Sequence, residues 1–217
     1  WEALYGNPPE ARQHAAATLA KSNGRDAQYV AALALAVVGE SARAQSLAED
    51  LQKRFPDDTV VRFNYLPTLN AQLFLNAADR SPDRSPDPLP ENAAKAVQAL
   101  TVASPYELGI PGNSTFWTNL YPVYVRGEAF LASHQGAQAA AEFQKIVDRR
   151  GVVANEPIGA LAHLGLARSY ALAGDAAKSR TAYNAFLALW KDADPNIPIL
   201  KEANSESAKL SPTPGAR

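Results

Sequence analysis

Small residues recur at a fixed spacing in this chain of 217 residues, and this pattern restricts its fold more than any other feature. The first repeat spans 33 residues and pairs Gly6 with Gly39, Ala11 with Ala44 and Ala15 with Ala48. A period between about 20 and 50 residues is typical of proteins built from stacked copies of one small structural unit. The spacing therefore predicts a repeat protein, with small residues at the contacts between its elements.

A second repeat spans 40 residues and keeps aromatic or large apolar residues in register. It pairs Phe130 with Tyr170, Ala139 with Ser179, Phe143 with Tyr183 and Ile146 with Phe186. Two helices approach closely only where their facing residues are small, and aromatic side chains one turn away then fill the space beside the contact. We therefore predict an all-α fold of helical hairpins.

The spacing resembles the tetratricopeptide repeat (TPR), a helix-turn-helix unit of about 34 residues. The fullest match is the series Ala32, Leu35, Gly39, Ala44, Ala48, Leu51 and Pro56. Gly165 to Tyr183 fits as well, except that Ser179 stands where alanine is usual. The resemblance implies a right-handed α-solenoid of antiparallel helix pairs, with a capping helix at its C-terminal end.

The predicted organisation is a single domain over residues 1–210, followed by a flexible tail, 211–217. Its units are expected at about 1–23, 26–57, 58–104, 114–150 and 156–191, with a cap at 197–210. Residues 79–90 contain a tandem RSPD and several prolines, which predict an exposed insertion. Phosphorylation of Ser81 or Ser85 is the alternative reading of that insertion. Residues 104–117 are rich in apolar side chains, including Tyr106 and Leu108, and are expected to pack onto the helices.

Polar and proline residues mark the expected helix starts. Asp26 and Ser41 are predicted to cap two successive helices, and the pair Asp57 and Asp58 the helix after them. Two prolines occur in similar contexts, NYLPTL around Pro67 and LYPVYV around Pro122. Each of these prolines either begins a helix or kinks one.

No catalytic constellation is found in the sequence. There is no Cys and no glycine-rich phosphate loop, and neither protease nor kinase motifs are present. The histidines, His14, His134 and His163, fall in different units, and a structural role is expected for His163. We therefore predict no enzyme activity, no cofactor and no metal site in these residues. A formal charge of -1 without a basic stripe disfavours nucleic acid as a partner, and no apolar run is long enough to insert into a membrane.

The resemblance also implies a binding surface, because the first helices of such pairs line a concave wall. The residues that it places on this wall are Tyr29, Tyr65, Thr68, Gln72, Asn76, Tyr121, Tyr124, Glu128 and Arg168. Tyrosines interleaved with amides suit binding of a protein or peptide ligand. The alternative is that some of these tyrosines pack between neighbouring units.

Longer segments of the sequence resemble the C-terminal repeat region of bacterial eukaryotic-like serine/threonine kinases. Two of these segments are RFPDDTVVRFNYLPTLNAQL and YPVYVRGEAFLASHQGAQAAAEFQKIVDRRGV. This likeness implies a protein- or peptide-binding module that is the regulatory or sensing C-terminal region of a larger kinase. Self-association into a homo-oligomer is the alternative. Because the chain begins with Trp1 and lacks Met, we expect it to be part of a longer protein. The sequence indicates no cellular compartment.

Overall fold

The computed structural model describes residues 1–78, 89–109 and 119–210, and these residues form helices without any strand. The α-helices are α1 Glu2–Tyr5, α2 Pro8–Lys21, α3 Arg25–Val37, α4 Ser41–Arg54, α5 Leu66–Ala78, α6 Leu89–Ala99, α7 Tyr121–Ala132, α8 Gly136–Val147, α9 Arg150–Val153, α10 Pro157–Leu172, α11 Ala176–Leu189 and α12 Pro198–Lys209. The all-α prediction is confirmed. The short helix α9 was not predicted.

Several predicted features lie outside the described residues. They are most of the proline-rich insertion, with Ser81 and Ser85, the later part of the 104–117 segment, and the tail. Leu89 and Pro90, which were assigned to the insertion, instead open α6, where proline fits the first turn because the backbone N–H that it lacks would have no partner there.

The predicted helix caps are only partly correct. Asp58 Oδ1 accepts hydrogen bonds from the backbone N–H groups of Val60 and Val61, each at 2.9 Å, as a capping residue should. Asp26, in contrast, lies inside the first turn of α3, whose cap is Gly24. Ser41 is likewise the first residue of α4 rather than its cap. Both predictions were wrong by one or two positions, because neighbouring polar residues give similar start signals.

The two prolines differ in their structural role. Pro122 lies in the first turn of α7, where it begins the helix. Pro67 lies inside a longer helical stretch, directly after a π-helical turn, Val61–Tyr65. A π-turn bonds each N–H to the carbonyl five residues back, and here Leu66 donates to Val61. This local widening accommodates the proline without ending the helix.

Helices that follow each other in the chain pack together, and so do the first helices of neighbouring pairs. Contacts join the successive pairs α3–α4, α5–α6, α7–α8 and α10–α11, and they join the alternate helices α3–α5, α5–α7 and α7–α10. The first helix, α1, contacts both α3 and the last helix, α12. Tyr5, at the end of α1, packs edge-on against Trp190 with ring centroids 5.0 Å apart. The N-terminal and C-terminal parts of the described chain are therefore in direct contact.

The repeated small residues allow close helix contacts, as the sequence predicts. The ring of Phe143 on α8 is fully buried between Gly127 of α7 and Gly165 of α10. A methyl group at either glycine would come within 2.7 Å of this ring. Ser179, the exception in the alanine series, is also buried, and its hydroxyl donates to the carbonyl of Ala167 at 2.8 Å. Small size, rather than apolar character, is therefore the requirement at these positions.

No helix among residues 1–78, 89–109 and 119–210 combines the length and the hydropathy needed to cross a membrane.

Candidate functional site

The N-terminal part of the predicted wall is buried. The rings of Tyr29 on α3 and Tyr65 lie face to face, 3.7 Å between centroids and 1° between planes. Their exposed fractions are only 2% and 4%. The Tyr65 hydroxyl donates to Asp26 Oδ1 at 2.9 Å. These two tyrosines join neighbouring helices, which was the alternative reading of the pattern.

Thr68 and Tyr121 are also inaccessible to a ligand in this conformation. The Thr68 hydroxyl donates to the carbonyl of Asn64, one turn earlier, at 2.7 Å. The Tyr121 hydroxyl donates to Glu156 Oε2 at 2.8 Å, which links α7 to the residue that precedes α10. A cavity of about 50 Å³, lined by both Tyr29 and Tyr121, has Leu4 of α1 on its other side. The expectation that these residues lie on an open surface is therefore corrected: α1 covers part of the tyrosine face.

Gln72 and Asn76 lie on α5 and are half-buried. Asn76 Nδ2 donates to the carbonyl of Ala36 at 2.6 Å and to Ser41 Oγ at 3.2 Å. These bonds connect α5 to the C-terminal end of α3 and to the first residue of α4. Gln72 donates only to Asn76 among the described residues, so it keeps an unused carbonyl oxygen.

The remaining predicted wall residues meet near the C-terminal end. We call the C-terminal wall cluster the group formed by Tyr124, Glu128, Arg168, Tyr183, Glu202 and Glu206, which comes from α7, α10, α11 and α12. Arg168 forms two hydrogen bonds of 3.0 Å with the Glu206 carboxylate, and Glu206 also accepts from the Tyr183 hydroxyl at 2.8 Å. The last helix, α12, is thus held by charge as well as by packing. Two carboxylates, Glu202 and Glu206, pair with the Arg168 guanidinium, and Glu128 is a third carboxylate in the cluster.

Glu128 is the least compensated member of the cluster. Burial raises the pKa of its carboxyl, and only part of that effect is offset by the positive charge of Arg168 and by the neighbouring Tyr124 hydroxyl. Burial also raises the pKa of Tyr124, and the Glu128 charge adds to this effect. Glu128 forms no direct ion pair with any described residue, because the guanidinium of Arg168 is bonded to α12. A half-buried carboxylate without a cationic partner can accept a hydrogen bond from an incoming cation.

The sequence reasoning missed a buried ionic network. Arg126 of α7 bonds Glu107 at 2.6 and 2.8 Å, Glu142 of α8 at 3.0 Å, and the Leu100 carbonyl at 3.0 Å. Glu107 belongs to a segment that was expected to pack through its apolar residues. It is 2% exposed, whereas its neighbours Tyr106 and Leu108 are 45% and 36% exposed. Glu107 is buried, and its two neighbours are not, because Arg126 provides Glu107 with a charged partner.

A cavity of about 430 Å³ lies away from the predicted wall. It is formed by α1, α8, α9, α10 and α11, and His163 is part of its lining. Burial, and then the charge of Arg150, lower the pKa of this histidine. Within the described parts of the chain, no three His, Cys, Asp or Glu side chains come together as a metal site would require.

Comparison with models of protein families, with curated proteins and with solved structures finds no match to this chain. The cluster offers hydrogen-bond acceptors, a tyrosine face and excess negative charge.

Proposed function

We propose that this chain is a non-catalytic protein- or peptide-binding module with the architecture of a TPR solenoid. The contacts between alternate helices, and the burial of the repeated small residues, support this architecture. We propose further that the ligand is an extended basic segment of a protein, bound at the C-terminal wall cluster. In this proposal the module is the regulatory or sensing C-terminal region of a larger bacterial serine/threonine kinase.

The observation that carries the binding proposal is the environment of Glu128. Its carboxylate is half-buried and has no ion pair among the described residues, since the Arg168 guanidinium is bonded to Glu206. Residues that do not contribute to folding stability are often retained because they contribute to function. A lysine or arginine of a ligand would provide the missing partner, and the half-buried Tyr124 beside it would provide apolar contact area.

Selection from a displayed random-peptide library, followed by fluorescence anisotropy with the selected peptide, tests this function. We expect enrichment of peptides with Lys or Arg, and an affinity at least about tenfold lower for Glu128→Gln. Glu49→Gln is the matched control, because Glu49 is an exposed residue of α4 that contacts only Gln45. Equal loss in both variants, or selected peptides without basic residues, would contradict the proposal.

Self-association is the second candidate, favoured by exposed apolar residues beyond the cluster. Val102, Tyr106 and Leu108 are 48%, 45% and 36% exposed, and Tyr106 stacks on Phe63 at 4.8 Å. Sedimentation velocity of the purified chain distinguishes this candidate. A dimer that Val102→Lys converts to a monomer would support it, and a monomer at all concentrations would exclude it.

The link to a kinase has its own test. Sequencing the coding region upstream of the Trp1 codon, and examining the encoded residues for the Asp and Lys motifs of protein kinases, decides it. An upstream domain without them would remove the kinase from the proposal but leave the binding module intact.

A further inference from the structure

The cavity of about 430 Å³ has the size and mixed lining of a small-molecule site. Its apolar part consists of Ile146, Val153 and the indole of Trp190. Trp190 is held in this wall by packing against both Phe186, at 5.1 Å, and Tyr5, at 5.0 Å. The cavity is therefore preformed by the contact between the first and last parts of the chain.

The polar lining includes Arg150, an exposed cation without a partner among the described residues. Arg150 forms no ion pair or hydrogen bond through its side chain with any described residue, although its charge reaches His163. Asn155 is exposed and likewise has an amide without a described partner. The one carboxylate in the lining, Glu156, is bonded to the Tyr121 hydroxyl. An anionic group entering here would meet donors that nothing else occupies.

The backbone at this rim is held in an unusual conformation. Ala154 has φ 51° and ψ -122°, a region that residues with a side chain rarely adopt. Its N–H bonds the Arg150 carbonyl at 2.9 Å, so the turn that carries Asn155 is fixed relative to Arg150. Strained backbone of this kind is concentrated at ligand-binding sites, where it positions polar groups.

We propose that this cavity binds a small carboxylic acid with an apolar body. The carboxylate contacts the Arg150 guanidinium and the Asn155 amide, and the body lies against Trp190, Ile146 and Val153. A guanidinium matches a carboxylate through two parallel hydrogen bonds, which a neutral analogue cannot form equally well. This site is independent of the proposed peptide surface, because none of its lining residues belongs to the C-terminal wall cluster.

Titration of the ¹⁵N-labelled chain with phenylacetate, followed through the Trp190 indole N–H resonance, tests the site. A Kd of about 1 mM is expected for a ligand of this size. Phenylacetamide, which has the same shape without the charge, should bind at least about fivefold more weakly.

Three variants assign the binding to this cavity. Arg150→Gln should weaken phenylacetate binding about tenfold, and Ala160→Leu should block it by filling the space beside the apolar wall. Arg149→Gln is the matched control, because Arg149 bonds the Lys145 carbonyl and does not line the cavity. Equal binding of acid and amide, equal effects at Arg149 and Arg150, or no saturable shift of Trp190 up to 20-fold above the expected Kd would each overturn the proposal.

Discussion

At the scale of single residues, the same side-chain type has opposite roles in different parts of the predicted wall. Tyr29 and Tyr65 stack on each other inside the protein, whereas Tyr124 is half-buried beside a charged cluster. A tyrosine has an apolar ring and a polar hydroxyl, so its presence at a repeat position does not decide between core and surface. The hydroxyl partners, Asp26 for Tyr65 and Glu156 for Tyr121, are distant in sequence from the tyrosines that they bind.

Gly165→Ala should destabilise the fold. The added methyl would lie 2.6 Å from the Phe143 ring, which is enclosed and cannot move without displacing α7. We expect a loss of about 1–3 kcal/mol in urea unfolding. Gly151→Ala is the control, since a methyl at that helical glycine meets nothing within 4 Å and should leave stability unchanged or slightly higher. Equal stability of the two variants would contradict the described packing.

Glu128→Gln should stabilise the protein at neutral pH and not in acid. A carboxyl whose pKa is raised on folding contributes stability below its unfolded pKa, and that contribution is lost as the pH rises through the folded pKa. Glutamine has no such dependence. Thermal unfolding should therefore show a higher Tm for the variant at pH 7.5, with the difference shrinking as the pH falls toward 4. A lower Tm for the variant at pH 7.5 would show that Arg168 more than compensates the burial.

At the scale of elements, local signals locate helices better than they explain irregular segments. The bounds of α2 and α4 follow from the prolines that begin α2 and follow α4, although neither helix has a side-chain cap. The π-turn before Pro67 and the burial of Glu107 do not follow from such signals. Both depend on partners that are distant in sequence, since Glu107 is buried only because Arg126 of α7 neutralises it.

Arg126→Met should cost about 3–5 kcal/mol, because it leaves the Glu107 and Glu142 carboxylates without their shared buried cation. Urea unfolding measures the loss, and exchange of backbone amides should rise around residues 103–107. Lys95→Gln removes an ion pair with Glu91 whose side chains are 47% and 74% exposed, and should leave the midpoint unchanged. Similar small effects in both variants would contradict a structural role for the network.

At the scale of the whole molecule, the contact between α1 and α12 connects the two ends of the described chain. Gly6, with φ 85°, allows the turn after α1, and a methyl group there would meet the Pro198 side chain at 3.0 Å. Tyr5 of α1 also packs against Trp190, the residue after α11, and both residues line the cavity of about 430 Å³. The two ends should therefore affect each other's stability.

Tyr5→Ala should accelerate amide exchange in α12, although the two are far apart in sequence. Loss of the edge-on contact with Trp190 should weaken the packing of α1, which contacts α12. Protection of the α12 amides should therefore fall by about tenfold or less. Tyr106→Ala removes an exposed aromatic contact with Phe63 and serves as the control, with no effect expected on α12. Unchanged exchange of α12 in the Tyr5 variant would show that the ends are energetically independent.

The sequence by itself determined the helical class and the need for small residues at helix contacts. Both depend on local periodicity and on side-chain size, which can be read without knowing the partners. Ala32, Ala44, Ala48 and Ala167 are indeed among the most buried residues of the described chain.

Only the tertiary structure decided which wall residues are accessible, that Glu107 is buried, and that a cavity forms between α1 and the last helices. Each of these depends on pairs of residues that are distant in sequence, such as Tyr5 with Trp190 and Arg126 with Glu107. The physical reason is that burial and charge compensation are properties of a contact between two elements, whereas a sequence pattern describes one element at a time.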